Sequence, residues 1–272
     1  MKSPLDGPHL AAVLVAFLAL LCPAVSIADG NEDATVTRIV SYNIKHGQGN
    51  DGKVDLDRTA AVLKNLQADF IGLQEVDDRA QRSGGVDQAA ELGKQLAMYP
   101  AFGSFMDFQG GRYGLAVLSK YPIKHSESIT LPIGNEPRVA LAVEVSLPSG
   151  ESLLLVNVHF DWVADDRFRF AQAQRLREYL DQVSMPYLLF GDFNDQPGSR
   201  TLRLLAQASI EAAKPREDRF TFSSSDPKIE IDFIFASPVT RWKMVEVNVI
   251  DEPVASDHRP VVAALHLRSE KD

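Results

Sequence analysis

Short apolar runs that carry amides, carboxylates or imidazoles at one end constrain this chain more than any other feature. Asn43 ends the β-rich run TVTRIVSYNI, and Gln74-Glu75 end DFIGLQEV. Asn157 and His159 close LLLVNVHF, Asp192 and Asn194 follow YLLF, Asp232 interrupts IDFIF, and Asp257-His258 immediately precede VVAALHL. A polar group at the mouth of a buried strand is costly unless it is paired or solvated. Several at successive strand ends therefore point to one convergent site.

Between these runs lie amphipathic helices. Leu56 to Leu66 has apolar residues at helical spacing and Asp55 as an N-cap, and Val86 to Met98 reads as a second helix. Asp165 to Val183 is the longest, with Leu176, Tyr179, Leu180 and Val183 forming a core-facing stripe. Further strands are expected at 115–119, 140–147, 187–190, 229–236, 245–250 and 261–267, with a Pro148-Ser149-Gly150 hairpin turn before the run that starts at Leu153. Arg79 to Gly85 and Glu211 to Ser225 read as polar loops. No repeat or long linker divides the chain, and 272 residues suit one large domain.

The N-terminus stands apart. Leu10 to Leu21 is an apolar run too short to span a bilayer, and Ser26-Ile27-Ala28 offers small residues for cleavage. Residues 1–28 are thus expected to be a signal peptide, 29–37 a short lead, 38–268 the working domain and 269–272 a polar tail, in an exported, periplasmic or secreted protein without a membrane span in its mature form. The only cysteine, Cys22, falls inside the signal. Disulfides, thiol nucleophiles and cysteine-based zinc sites are thereby excluded from the mature chain.

The remaining donors are oxygen-rich, which suits a hard cation such as Mg²⁺, with Mn²⁺ as a substitute. No HExxH helix argues for zinc and no G-x-S-x-G elbow for a serine nucleophile. Residues i and i+2 of an extended segment face one side, so GDFN can aim Asp192 and Asn194 at one group.

The ordered set SYNI, LQEVD, VNVHFD, GDFND, IDFIF and SDHRP resembles the endonuclease/exonuclease/phosphatase superfamily, and HGQGNDGKVDLDR and AFGSFMDFQGGRYGLAVLSKYPI are similar to its compact bacterial metal-dependent hydrolases. The resemblance implies an α/β (α+β) four-layer sandwich, with two mostly antiparallel mixed β-sheets packed face to face and flanked by helices. It implies a metal at Glu75 with Asn43 beside it and Asp257 near the metal shell. Asp192 would orient the attacking water and Asn194 would contact phosphoryl oxygens. His258, oriented by Asp232, would polarise the phosphate, and His159 would serve the leaving oxygen. Lys45 stands where AP endonucleases carry Asp, and Gly110-Gly111 precede Arg112-Tyr113 where pancreatic-type deoxyribonucleases place a Glu, so neither branch fits.

Arg112, Tyr113 and Arg138 are candidate substrate contacts, although an ion pair with Glu136 accounts for Arg138 equally well. His46 and His125 read as solvated loop residues, although His46 follows the run ending at Asn43 closely enough to contact substrate. The expected activity is hydrolysis of a phosphodiester or phosphomonoester, with an exported nuclease, a sphingomyelinase-like phosphodiesterase or a non-catalytic binding module as alternatives. The net charge of −9 gives no basic surface for strong nucleic-acid affinity. Phe102, Phe105, Met106 and Phe108 would be either core or a lipid-facing loop. A monomer is expected, with a small molecule, nucleic acid or phospholipid head group as the phosphoester partner.

Overall fold

The computed structural model describes residues 36–268. The signal segment, most of the lead and the tail lie outside the described residues. In chain order the elements are β1 (Val36–Asn43), α1 (Leu56–Leu66), β2 (Phe70–Asp78), α2 (Gln88–Leu96), β3 (Tyr99–Phe108), β4 (Gly111–Ser119), β5 (Ile123–Thr130) and β6 (Val139–Ser146). There follow β7 (Ser152–His159), α3 (Arg167–Leu180), β8 (Tyr187–Asp192), α4 (Arg200–Leu205), β9 (Ile210–Glu211), β10 (Asp232–Ser237), β11 (Trp242–Val249) and β12 (Val261–Leu267).

The helices form where propensity and capping agree. The Asp55 side chain accepts the Arg58 N–H and caps α1, which buries Ala60 and Leu63 and ends at a left-handed Gln67. Asp87 caps α2 in the same way through the Ala90 N–H. In α3 the expected stripe is seated, with Leu176 and Leu180 fully buried and Tyr179 and Val183 packed against the same cluster.

The strands make two six-stranded sheets, ordered β11-β12-β1-β2-β4-β3 and β5-β6-β7-β8-β10-β9. Each contains one parallel pair, β1 with β2 and β7 with β8. Parallel neighbours need a crossover, supplied by α1 in one sheet and α3 in the other. The inner faces meet in a dry core that includes Ile39, Phe70, Leu115, Leu155, Phe190 and Ile234. Helices α1 and α2 cover the outer face of the first sheet, and α3 and α4 that of the second. This is the four-layer sandwich expected from the resemblance.

Strands β3 and β5 were not among the expected elements. β3 contains Pro100 and Gly103 and lies at a sheet edge, and β5 is an edge strand with mostly exposed polar residues, so neither presents an apolar run. Strand β10 starts at Asp232 rather than Ile229, because the preceding residues bridge to Phe222 instead.

The two sheets approach closely at Gly72. A Cβ built there would lie 2.0 Å from Cε2 of Phe190, a ring fully buried between the sheets. Gly72→Ala is expected to destabilise the fold by about 1–3 kcal/mol through overpacking. Pairing it with Phe190→Leu should recover part of that loss in urea unfolding. Equal stability of Gly72→Ala and wild type would refute the close approach.

Candidate active site

Backbone register assembles the centre. His159, the last residue of β7, pairs with Asp192, the last residue of β8, and Asp192 pairs across β10 with Asp232. In-register neighbours share a face, so three polar side chains from distant parts of the chain stand in one row. In the other sheet Asn43 and Gln74 end the parallel pair in register. The turn before β12 then brings His258 against the row.

Glu75 reaches this row through a bulge. The β2–β4 register shifts between Leu73 and Val76, and Glu75 has φ 57°. Leu73 and Val76 face the helix layer and Gln74 faces the opposite sheet, where its Nε2 donates to Asn157 Oδ1 at 2.7 Å. The extra residue turns Glu75 towards the sheet end. Its Oε1 accepts from Asn43 Nδ2 at 3.2 Å, and the same amide nitrogen donates to Asp192 Oδ2 at 3.2 Å. Asn43 thus holds two carboxylates apart while its Oδ1 accepts the Lys45 N–H at 3.1 Å.

Burial raises the Glu75 carboxyl pKa above its ordinary value, against the hydrogen bond from Asn43 and the nearby charge of His258. A bound cation would reverse that penalty, and the oxygen-only donors around it fit a hard ion. Asp257 also borders the pocket, but its Oδ2 is 2.7 Å from Lys45 Nζ, so this carboxylate already has a counter-ion. Asp192, Asp232 and His258 likewise lie close enough together to hold an ion. There one imidazole faces two carboxylates.

His258 Nδ1 lies 3.0 Å from Asp232 Oδ2, the pairing proposed from IDFIF and SDHRP. Burial alone would lower the pKa of this ring. The charges of Asp232 and Asp192 and the hydrogen bond to Asp232 outweigh it and raise the value to about 10. The other ring nitrogen, Nε2, stands 3.6 Å from Asp192 Oδ2, and His159 Nε2 stands 3.5 Å from the same oxygen. His159 goes the opposite way: burial, then the charges of Arg138 and His258, hold it well below 6.5. The two rings are thus driven in opposite directions by their surroundings. Burial pushes the Asp192 carboxyl up, while His258 pulls it back. The Asp192 Oδ1 accepts the Asn194 N–H at 2.9 Å, a turn made by Asn194 at φ 49°.

These groups open into a pocket of about 680 Å³ bordered by Glu75, Tyr113, Arg138, His159, Asp192, Asn194, Asp257 and His258. Asn43 and Asp232 support it from behind through the bonds given above. Arg138 is buried, donates to Glu136 Oε2 at 2.8 Å and stacks on Phe105, so it is both an ion-pair partner and a pocket residue. Arg112 is a correction. It alternates to the other side of β4 from Tyr113, pairs with Asp78 and lines a separate recess. His46 is also corrected: it is buried, and burial with the Arg82 charge lowers its pKa to about 4. Phe105 packs edge-on to Tyr113 and 6.1 Å from His159, and Phe102, Met106 and Phe108 pack against the core, so this stretch is structural. Sequence reasoning missed Lys45, Glu136, Trp162, Arg169 and Asp195 at or beside the pocket. The position of Trp162 three residues after His159 was the available signal for one of them.

The family profile described as the endonuclease/exonuclease/phosphatase family matches residues 40–258, and the chain belongs to that family. It is 29% identical over 175 residues to the uncharacterized protein YbhP of Escherichia coli K12, covering 61% of this chain and 68% of that protein. The crystal structure of an endonuclease/exonuclease/phosphatase from Bacteroides vulgatus superposes with a TM-score of 0.71 at 22% identity, over 86% of this chain and 100% of that one. The human Nocturnin catalytic domain with bound sulfate superposes with a TM-score of 0.67 at 18% identity, over 85% and 94%. At these identities the two structures establish the shared fold.

The Asp232–His258 pair has a measurable signature. His258 has a folded pKa raised from 6.5 to about 10, so its contribution to stability is complete below pH 6.5 and is lost as pH rises through about 10. In metal-free protein, ¹⁵N imidazole shifts should show His258 protonated until near pH 10, and Asp232→Asn should lower that midpoint by at least about one unit. A wild-type midpoint near 6.5 would refute the pair.

Proposed function

We propose that this protein hydrolyses a phosphoester of a small molecule, with Mg²⁺ held chiefly by Glu75. The convergence of Asn43, His159 and His258 on Asp192 Oδ2, with Asp232 behind His258, is the observation that carries the reading. Bound beside Glu75, the cation would neutralise charge on phosphoryl oxygens and so ease in-line attack by water.

The protein groups have separable tasks. Asp192 accepts a proton from the attacking water and orients it. His258 presents its protonated Nε2 to a phosphoryl oxygen, and Asp232 fixes the ring through Nδ1. Asn194 Nδ2 donates to the Phe160 carbonyl at 3.0 Å and keeps a second N–H for the phosphate. Arg138 lies at the pocket wall with its charge paired to Glu136. His159, neutral, donates a hydrogen bond as charge develops on the leaving oxygen.

The pocket's charge pairing favours a small substrate over a nucleic acid. Its two lining arginines each face a carboxylate, Arg138 with Glu136 and Arg169 with Asp195. A backbone-tracking nuclease needs cations free to meet successive phosphates.

Turnover of phosphate monoesters, a chromogenic diester, sphingomyelin, plasmid DNA and RNA, each with Mg²⁺ and with excess chelator, tests the reading. Monoesters or small diesters should be cleaved, and chelation should abolish the reaction. Full activity in chelator would overturn the cation, and exclusive cleavage of nucleic acid would overturn the substrate class. Asp232→Asn should lower turnover by roughly two to four orders of magnitude, the scale seen when an orienting carboxylate is neutralised, with melting temperature near wild type. Unchanged turnover with a normal melt would remove Asp232 from the site.

A further inference from the structure

The stretch from Arg79 to Gln88 contributes nothing to the pocket lining, yet it grips the strand that carries Glu75. Its first half has the composition of a polar loop, but it is not slack. The Arg79 N–H donates to the Val86 carbonyl at 2.8 Å and the Gln81 N–H to the Gln109 carbonyl at 3.1 Å. The Arg82 N–H donates to Gln109 Oε1 at 3.0 Å, and Ala80 and Ser83 are buried. The stretch ends at Gln88, a buried side chain on the first residue of α2, so a rigid element carries it.

Gln88 uses both ends of its amide. Its Oε1 accepts the Asp77 N–H at 2.9 Å, and its Nε2 donates to the His46 carbonyl at 2.8 Å. These two backbone points flank the Glu75 carboxylate. On one side His46 follows Lys45, whose N–H is held by Asn43 Oδ1, and Asn43 Nδ2 donates to Glu75. On the other side Asp77 follows Glu75 by two residues. Gln88 therefore closes a ring of contacts around Glu75. Lys45, His46 and Glu75 all lie in the left-handed region, at φ 46°, 47° and 57°. Non-glycine residues stay there only where the surroundings over-determine them.

Arg82 holds the same strand end by its side chain. Nε and Nη2 donate to the two Asp77 oxygens at 2.9 and 2.8 Å, and Asp77 is fully buried. The guanidinium lies 4.4 Å from the centre of the Phe108 ring and 4.9 Å from that of Tyr113. Tyr113 pairs with Asp77 across β4 and borders the pocket. A planar fork sandwiched in this way fixes the direction of a carboxylate, which a point charge does not.

We propose that Gln88 and Arg82 are positioning residues for the divalent cation, bracing Asp77 and the 45–47 turn so that Glu75 and Asn43 keep their binding geometry. The brace rests on the reading that Glu75 anchors that cation. Neither residue touches the ion; Gln88 acts through the His46 carbonyl and the Asp77 N–H, and Arg82 through the Asp77 carboxylate.

The test is a Mn²⁺ titration of the full chain, with free ion followed by electron paramagnetic resonance. Gln88→Met and Arg82→Lys both preserve charge, so any change in affinity comes from geometry. Gln88→Met should raise the Mn²⁺ Kd by roughly tenfold, the lower end of the range for groups behind a metal ligand, and Arg82→Lys by at least about threefold. Gln172→Met is the structural control. Gln172 makes the same pair of bonds on the far wall, accepting the Asp161 N–H at 2.9 Å and donating to the Pro132 carbonyl at 3.2 Å. It should lower the melting temperature about as much as Gln88→Met while leaving the Kd at the wild-type value. Wild-type affinity in both Gln88→Met and Arg82→Lys, or an equal loss in Gln172→Met, would overturn the brace and leave the phosphoesterase reading intact. No Mn²⁺ bound to wild type would overturn the cation itself and the brace with it. Should Gln88→Met not fold, Arg82→Lys decides, and wild-type hydrogen exchange supplies a check that needs no variant. Saturating Mg²⁺ should slow exchange of the Asp77 amide more than that of the Asp161 amide, because coupling between ion and brace is reciprocal. Equal slowing of the two would count against the brace.

Discussion

The in-register run of His159, Asp192 and Asp232 across β7, β8 and β10 is the constraint on which the site depends. No loop geometry is needed to bring these residues together, because neighbouring strands do it through their ladders. The strands are locked by a core between the sheets and by helices outside, and a slip of one residue in β8 would turn Asp192 towards the opposite face. The chemistry therefore inherits its precision from packing far from the pocket, including the close fit of Gly72 against Phe190. His258 then adds to a row that the sheet has already fixed.

A second constraint ties the two sheets together beneath the site. Asn157 Nδ2 donates to the carbonyls of Leu73 and Ala116, both at 2.9 Å, and its Oδ1 accepts from Gln74. All of these groups are buried, so each bond avoids a desolvation cost as well as adding attraction. Asn157 belongs to the sheet of His159 and Asp192, whereas Gln74 precedes Glu75. The bridge fixes Glu75 relative to His159 and Asp192. A phosphoester centre needs this, because attack geometry tolerates little misplacement.

Much of this was legible in the chain, for a physical reason. Asn43, Glu75, His159, Asp192, Asp232 and His258 interrupt or end apolar runs, and the expense of burying them in isolation marks them as partners. What was illegible depends on dihedral angles and on alternation. Nothing in LQEV states that Glu75 takes φ 57° and swings off the pleat. Arg112 and Tyr113 are adjacent in sequence, yet strand alternation sends one to the pocket and the other to Asp78. His46 looked solvated because it follows a strand in a polar stretch, but it sits at φ 47° and is folded under that turn. Edge strands β3 and β5 lack the apolar pattern of buried strands because water hydrates part of their surface.

The carboxylates bordering the pocket are mostly paired with cations. Asp257, Glu136 and Asp195 each have a cation within 4 Å, in Lys45, Arg138 and Arg169, and Asp232 has His258. Pairing of this kind costs little net charge but orders the dipoles, so the potential in the pocket is set by which end of each pair faces it. At the centre the exposed end is the His258 Nε2. At the mouth it is the carboxylate of Glu136. Glu75 is the exception to the pairing, a half-buried carboxylate whose contacts are the Asn43 amide and the more distant field of His258. Burial of a carboxylate held by an amide rather than by a counter-ion raises its pKa, and a divalent cation bound there would offset that cost.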